Sequence, residues 1–400
     1  MCWTPSPAAS LAAALVTAWL VLIAPARAQP APPADASWSA SLVTYGPGDI
    51  YWQRFGHNAL WLREPARGLD HTFNFGFFDF RQERFFARFV QGRMLYFTAA
   101  TPSEREFELY RSENRSIRVQ PLNLTRDQYV RLRDALLRQV RPENRDYLYD
   151  YYRDNCSTRV RDMIDLALGG ALAAATADEP AAQNFRDHTR RLSQPEPWLH
   201  LGLEAVLGRP VDAPVSRWDE MFLPGVVAAV VGAPGRVNPA NGTPLVAAEE
   251  WLYRATATAP PERPGVRWPL YLAASLAVAL LAALAARVAP AAWGDGLALA
   301  WYVLAGAAGL FLLYAWLGTD HVATRYNENV LLFGPWMALA AFRRMRPGAL
   351  VATALGAAGA LALGLAPGGQ YTADVLAAAL PLHAAAGWRL WAAARRAPRR

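Results

Sequence analysis

The chain has 400 residues, 53% of them apolar, with 40 basic against 33 acidic side chains and a formal charge of +7. Every basic residue is arginine and the last third is far more apolar than the middle, so the excess charge reads as the arginine flanks of a membrane protein. No aromatic-plus-basic spacing marks a nucleic-acid module, and two or three domains fit the length.

Residues 11–23 form an apolar run too short to span a bilayer comfortably, followed by Ala26-Arg27-Ala28. This predicts a secretory signal peptide over 1–28, cut after Ala28; the absence of a positive charge ahead of the run leaves an uncleaved anchor as the alternative. Residues 29–37 (QPAPPADAS) read as a linker. A soluble domain is expected over 38–170. It opens with the turn cluster Tyr45-Gly46-Pro47-Gly48-Asp49, followed by a strand that starts at His57, with His57, Ala59 and Trp61 on one face. Residues 71–80 (HTFNFGFFDF) predict a second strand, joined through a turn at Arg67-Gly68. Phe85, Phe86 and Phe89 predict one face of a short helix ending at Gly92. Further strands are expected at 94–98 and 116–122. Between them, Ser103 with Glu106 predicts a capping box, as does Thr125 with Gln128 for the next helix.

The chain then reaches YLYDYYRDNCSTRVRDMIDLAL, residues 147–168. Tyr147, Tyr149 and Tyr151 alternate as in a strand; Val160, Met163, Ile164, Ala167 and Leu168 have helical spacing, closed by Gly169-Gly170. Cys156 is therefore expected at a helix start, where free N–H groups and the macrodipole lower a thiol pKa. The chain has two cysteines, and Cys2 lies in the expected leader, so the mature protein carries one thiol in an oxidising compartment. That makes Cys156 a candidate nucleophile; a buried structural cysteine is the alternative.

Residues 171–265 are expected to form a helical extension, broken at Pro195-Glu196-Pro197. His188 and His200 in this stretch read as packing residues. No HExxH, CxxC or clustered His/Asp spacing suggests a metal, and no glycine-rich loop suggests a phosphate cofactor, so neither metal nor cofactor is expected. Residues 266–400 predict a transmembrane domain with spans at 268–286, 296–317, 329–342, 349–366 and 371–391. The third is short and reads as tilted or partly re-entrant. With the soluble domain outside, Arg287, the Arg343-Arg344-Arg346 cluster and the C-terminal arginines all lie inside, as the positive-inside rule requires. The loop at 318–328 (GTDHVATRYNE) then lies outside, near the soluble domain.

An Asn155-Cys156 pair opening a helix, with a strand-start histidine upstream, resembles circularly permuted papain-like enzymes such as the permuted relatives of NlpC-type hydrolases and lecithin:retinol acyltransferase. A wider set resembles the Lnb-type family of bacterial lipoprotein N-acyltransferases. It comprises Phe55-Gly56-His57, Asn74-Phe75-Gly76 with Asp79-Phe80, Asp154-Asn155-Cys156-Ser157-Thr158-Arg159, and Phe185-Arg186. It continues through Trp198 with Leu201-Gly202, Met221-Phe222-Leu223-Pro224, and Thr319-Asp320-His321 ahead of residues 327–332. The resemblance implies an α+β, circularly permuted papain-like (NlpC-like) periplasmic domain followed by an all-α transmembrane bundle of about five helices in the bacterial inner membrane. It implies transfer of an acyl chain from a phospholipid donor to the terminal amine of a lipoprotein acceptor.

In that chemistry Cys156 forms a thioester and His57 is the acid and base of both half-reactions. Asn74 is the expected third residue that orients the imidazole, with His71 and Asp79 as alternatives, and the Cys156 N–H is the expected oxyanion donor. Asn155 and Arg159, in the same motif as the thiol, are assigned to substrate binding. So are His321 and Arg325, whose loop offers a titratable group and a cation for a phospholipid phosphate. A peptidoglycan peptidase or phospholipase with the same dyad, and a non-catalytic membrane-anchored binding module, are the rival functions.

Overall fold

The computed structural model describes residues 38–396; the expected signal peptide and linker lie outside the described residues, as do the last four arginine-tail positions. The sheet of the first half has seven strands, all antiparallel, in the order β6-β4-β3-β2-β1-β5-β7. They are β1 (Ser39–Tyr45), β2 (His57–Glu64), β3 (Leu69–Phe77), β4 (Leu95–Pro102), β5 (Ile117–Pro121), β6 (Asp146–Leu148) and β7 (Glu250–Tyr253). The helices beside them are α1 (Phe85–Gln91), α2 (Ser103–Ser112), α3 (Arg126–Gln139), α4 (Cys156–Leu168) and α5 (Ala171–Thr176). After these come α6 (Phe185–Ser193), α7 (Pro197–Val206), α8 (Arg217–Glu220) and α9 (Pro224–Val231).

β1 is not among the expected strands: Ser39 to Leu42 alternate polar and apolar, but the alternation stops at Leu42-Val43. The strand is central and covered on both faces, which removes the solvent side that would have imposed such alternation. Ala40 and Leu42 pack with Leu60, Leu62, Phe73 and Phe75 against α3, α4 and α9. Val43 and Tyr45 pack with Ala59, Ile117 and Val119 against Phe107 of α2. β7 was also unexpected; it pairs with β5 at the sheet edge. α9 contributes Val227, Ala228, Val230 and Val231 to the first core. The expected boundary at residue 170 therefore separates no cores, since the extension completes the sheet and its packing.

Two helix starts differ. α3 has the expected capping box, with Thr125 and Gln128 bonded reciprocally. At α2 there is none: Pro102 is the N-cap and no side chain caps it. Ser103 instead donates to Asp70, and Glu106 turns into the protein. The tyrosine alternation yields only the short β6, after which Asp150 and Asp154 bridge a tight turn into α4.

The second half holds α10 (Trp268–Val288), α11 (Ala291–Leu317), α12 (Asn329–Leu332), α13 (Arg346–Gly364) and α14 (Ala373–Arg396). Among the described residues, three helices are long and apolar enough to cross a membrane: α10, α11 and α13. The third expected span is not one helix. Four-residue α12 breaks at Phe333-Gly334, and Pro335–Ala341 continues as a 3-10 helix. Such backbone is tolerated at membrane depth only where protein covers it. Gly309 of α11 permits the close approach, since a Cβ there would lie 1.5 Å from the Phe333 carbonyl oxygen. His383 of α14 bonds the Leu332 carbonyl oxygen, which the break leaves without a helical partner. α14 itself carries Asp374, His383 and Arg389, and is less apolar than a simple span.

Candidate active site

The site forms where the N-terminus of α4 meets the first residue of β2 and the middle of β3. Asn155 is the N-cap of α4: its Oδ1 accepts from the Ser157 and Thr158 N–H groups at 2.8 and 3.0 Å, and Thr158 Oγ1 accepts from the Asn155 N–H. The Asn155 amide N–H₂ donates to the Tyr151 and Phe222 carbonyls. The Asn155 side chain thus caps α4 and ties it to Phe222. Cys156 follows at the first helical position, where its N–H has no intrahelical acceptor.

α4 packs against β2 and β3, and Gly76 makes room for the cysteine. A Cβ on Gly76, whose φ is +92°, would lie 3.4 Å from Cys156 Cβ and 3.7 Å from the Tyr149 ring. The sulfur lies 3.9 Å from Ser157 Oγ, and the backbone N–H groups of Asn58, Ser157 and Cys156 itself favour its anion. Burial opposes them and prevails: it pushes the Cys156 thiol up from its usual value. The helix-start N–H groups favour the thiolate as expected, but burial outweighs them, and the net shift is upward rather than the expected lowering.

His57 is joined to the sulfur's surroundings through the next residue, Asn58, whose N–H serves the sulfur. Its own side-chain hydrogen bond goes the other way, from Nε2 to Asn74 Oδ1 at 2.9 Å. The register explains this contact: Asn74 pairs with Ala59, so His57 and Asn74 point from one face of neighbouring strands. His71 pairs with Leu62 and lies on the opposite face, while Asp79 forms an exposed ion pair with Arg81. Neither alternative reaches the imidazole.

Behind Asn74 stands a residue the sequence reading passed over. Glu106 of α2 accepts from the Asn74 amide at 2.6 Å, the Thr72 hydroxyl at 2.5 Å and the Tyr45 hydroxyl at 2.5 Å. Its spacing to Ser103 predicts half of a capping box, whereas its place beside Phe107 and Tyr110 puts it on the face that α2 buries. A carboxylate there fixes which way the Asn74 amide points: N–H₂ toward Glu106, oxygen toward His57. His57 Nε2 must then donate, so the proton sits on Nε2 and Nδ1 is left as the basic nitrogen. Burial is also the first cause that lowers the His57 pKa, to about 4, with Arg115 adding to it and Asn74 opposing. Burial thus disfavours the charged form of both the imidazole and the thiol.

The remaining expected residues lie around this centre. Arg159 forms a two-point ion pair with Asp154 and stacks over Tyr147 at 3.5 Å. His321, in the loop after α11, bonds the Phe89 carbonyl at 2.9 Å and stacks parallel to Tyr151. Asp320 next to it pairs with Arg93 at 2.6 Å. Arg325 is exposed and makes no side-chain hydrogen bond or ion pair among the described residues. The structure therefore brings the His321 loop against the sheet domain, while Arg325 points to its surroundings.

Residues 34–193 match the Lnb N-terminal periplasmic domain, and residues 262–366 match the Lnb transmembrane domain. The chain belongs to the Lnb family. No curated protein and no solved structure matches it. As an Lnb family member it is a membrane protein with a periplasmic domain, and Cys156, His57 and Asn74 all fall within the matched periplasmic segment. No group of His, Cys, Asp and Glu side chains among the described residues is arranged to hold a metal ion.

Proposed function

We propose that the protein is a lipoprotein N-acyltransferase of the inner membrane, with Cys156 as nucleophile, His57 as acid and base, and Asn74 as the residue that orients the imidazole. The observation that carries the reading is the directed chain Glu106–Asn74–His57, which engages Nε2 and leaves Nδ1 without a side-chain partner, in the residue next to Asn58, whose N–H serves the Cys156 sulfur. Histidine strand before cysteine helix is also the order of a circularly permuted papain-like fold. In the first half-reaction Cys156 Sγ attacks the ester carbonyl carbon of a phospholipid as its proton passes to His57 Nδ1. The oxyanion is met by the Cys156 N–H, at about 3 kcal/mol for one such donor. Collapse breaks the C–O bond, and Nδ1 returns the proton to the lysophospholipid oxygen. In the second, the lipoprotein's α-amine attacks the thioester carbonyl, loses a proton to Nδ1 and releases the thiol. The sum is an ester and an amine converted to an amide and an alcohol.

Five membrane crossings, with the sheet domain outside, agree with the side of the arginines. The loops at 318–328 and 365–372 both contact the sheet domain, through Asp320 with Arg93 and Gly368 with Arg209. Arg287, Arg343 and Arg344 lie at the other ends of these helices. Arg325, unpaired in one of those loops, is suited to a lipid phosphate, with His321 and Arg159 lining the approach. The test is mass spectrometry of a lipoprotein N-terminus in cells with and without this protein. The reading expects one added acyl chain on the terminal amine, lost with Cys156→Ser. Release of free fatty acid or peptide with no acylated product would make the protein a hydrolase instead.

A further inference from the structure

The sheet domain carries an apolar surface that its own fold does not use. On α1, Phe86, Phe89 and Val90 share one face at helical spacing, and all three are exposed, Phe86 to 78%. Phe80, just before the helix, is exposed to 61% beside them. In a soluble domain such a cluster would be a liability. The side chains of Arg84 and Arg88 on the same segment make no hydrogen bond or ion pair among the described residues.

Its position argues for one occupant. The end of α1 abuts the loop that follows α11: the Gln91 carbonyl accepts from the Asp320 N–H at 2.9 Å, and Phe89 meets His321 as above. Gly92 is required there, since a Cβ would lie 2.7 Å from the His321 nitrogen. The last residue of α11, Leu317, is 73% exposed, and Trp316 packs on Tyr326 at this same end, as aromatic residues do at a membrane–water boundary. The apolar face of α1 thus continues the lipid-facing surface of α11 at headgroup depth, with arginines placed for phosphates.

From this face a run of rings leads inward. Phe86 contacts Phe85, Phe85 contacts Phe80, and Phe80 contacts Phe78, at centroid separations of 5.4, 5.0 and 4.9 Å. Phe78 contacts Tyr96 at 5.3 Å, and Tyr96 stacks on Tyr149 at 4.0 Å, beside Gly76 and Cys156.

We infer that α1 is seated in the outer leaflet of the membrane, its Phe86, Phe89 and Val90 face among phospholipid acyl chains, and that the aromatic run from Phe80 to Tyr149 guides one acyl ester to Cys156. The seating follows from the surface alone, whereas the guiding role rests on the acyltransferase reading.

The test uses the full chain with Cys2→Ser and Cys156→Ser, carrying Phe86→Cys labelled with a fluorophore and reconstituted into phosphatidylethanolamine–phosphatidylglycerol vesicles. Nitroxides on the lipid chains should quench this probe at least about threefold more than the same probe at exposed Leu109→Cys on α2, with the order reversed for aqueous iodide. Val90→Cys repeats the measurement should Phe86→Cys fail to fold. Equal quenching at both sites, or a signal that follows protein density and ignores the nitroxides, as for a face paired with a second copy, would overturn the seating. These readouts do not depend on activity, so they decide the seating even if no acyl transfer is found. Separately, Phe78→Ala with Phe80→Ala, which interrupts the run, should lower transfer from bilayer phospholipid roughly tenfold while leaving alkylation of Cys156 by a small reagent unchanged. Unchanged transfer would overturn the guiding role.

Discussion

His57 in the sheet domain and His200 at the junction with the membrane bundle are both held by side-chain partners, but to opposite ends. His200 Nδ1 lies 3.0 Å from Ser193 Oγ and its Nε2 lies 3.0 Å from Asp374 Oδ2, so neither nitrogen is free. Around it Arg190 pairs with Asp374 and Glu204, and Arg186 with Asp212 and Glu204, all nearly or fully inaccessible to water. That network joins α6 and α7 of the sheet domain to the start of α14. At His57 one nitrogen is fixed by Asn74 and the other is uncommitted. A histidine with both nitrogens engaged holds elements together; one with a single engaged nitrogen can take a proton. The same side chain thus has both nitrogens engaged in one place and a nitrogen left open in the other.

The largest effect that separates the two regions should come from the cysteine and its base. Cys156→Ser should remain folded and membrane-inserted and lose acyl transfer. His57→Gln should lose ~10²–10⁴-fold in rate, again in folded protein. Equal losses caused by unfolding, read from melting temperature, would erase the contrast. A smaller loss, roughly tenfold to a hundredfold, is expected for Glu106→Gln, which can present an N–H to Asn74 and so releases its orientation. The distinguishing readout is a fall in kcat larger than any rise in KM, with little change in melting temperature.

At the junction the order is reversed. Asp374→Asn removes one partner of a buried charged network and should cost about 3–5 kcal/mol of stability. Activity per folded molecule should stay close to normal. Loss of activity without loss of stability would make the network part of the catalytic machinery.

The pH response sharpens the comparison further. Free histidine titrates near 6.5, whereas burial holds His57 down at about 4. Between these values the unfolded chain carries a proton at this site that the folded chain does not, so stability rises with pH across that window. His57→Gln should flatten that rise. The acid limb of the rate should lie near 4, and alkylation of Cys156 should accelerate only above the usual thiol range, because burial raises its pKa. Fast alkylation near neutral pH would instead indicate a preformed thiolate.

Much of the site was legible in the sequence because it rests on local signals. The Asn155 cap, the α4 periodicity and the Gly169 stop are neighbours in the chain, and they place Cys156 without a fold. Asn74 followed from strand order. Glu106 did not, because a glutamate three residues after a serine satisfies the local pattern of a cap, and only the packing of α2 on the sheet shows where it points. β1 is hard to read because both its faces are buried, and the alternation of Ser39 to Leu42 stops at Leu42-Val43. The third membrane segment read as a short helix because its composition is apolar throughout. Its break at Phe333-Gly334 depends on Gly309 of α11 and His383 of α14, both distant in sequence.

Acyl transfer by the proposed route requires an acyl group carried by Cys156. Purified full-length protein should be incubated with a phospholipid of known chains and no lipoprotein, then analysed by intact mass and peptide mapping. The expected result is a mass gain of one acyl chain on the Cys156 peptide, removed by hydroxylamine, absent in Cys156→Ser, and chased onto a lipoprotein amine when the acceptor is added. Efficient transfer to the acceptor with no adduct on Cys156, or an adduct that the acceptor does not discharge, would contradict it.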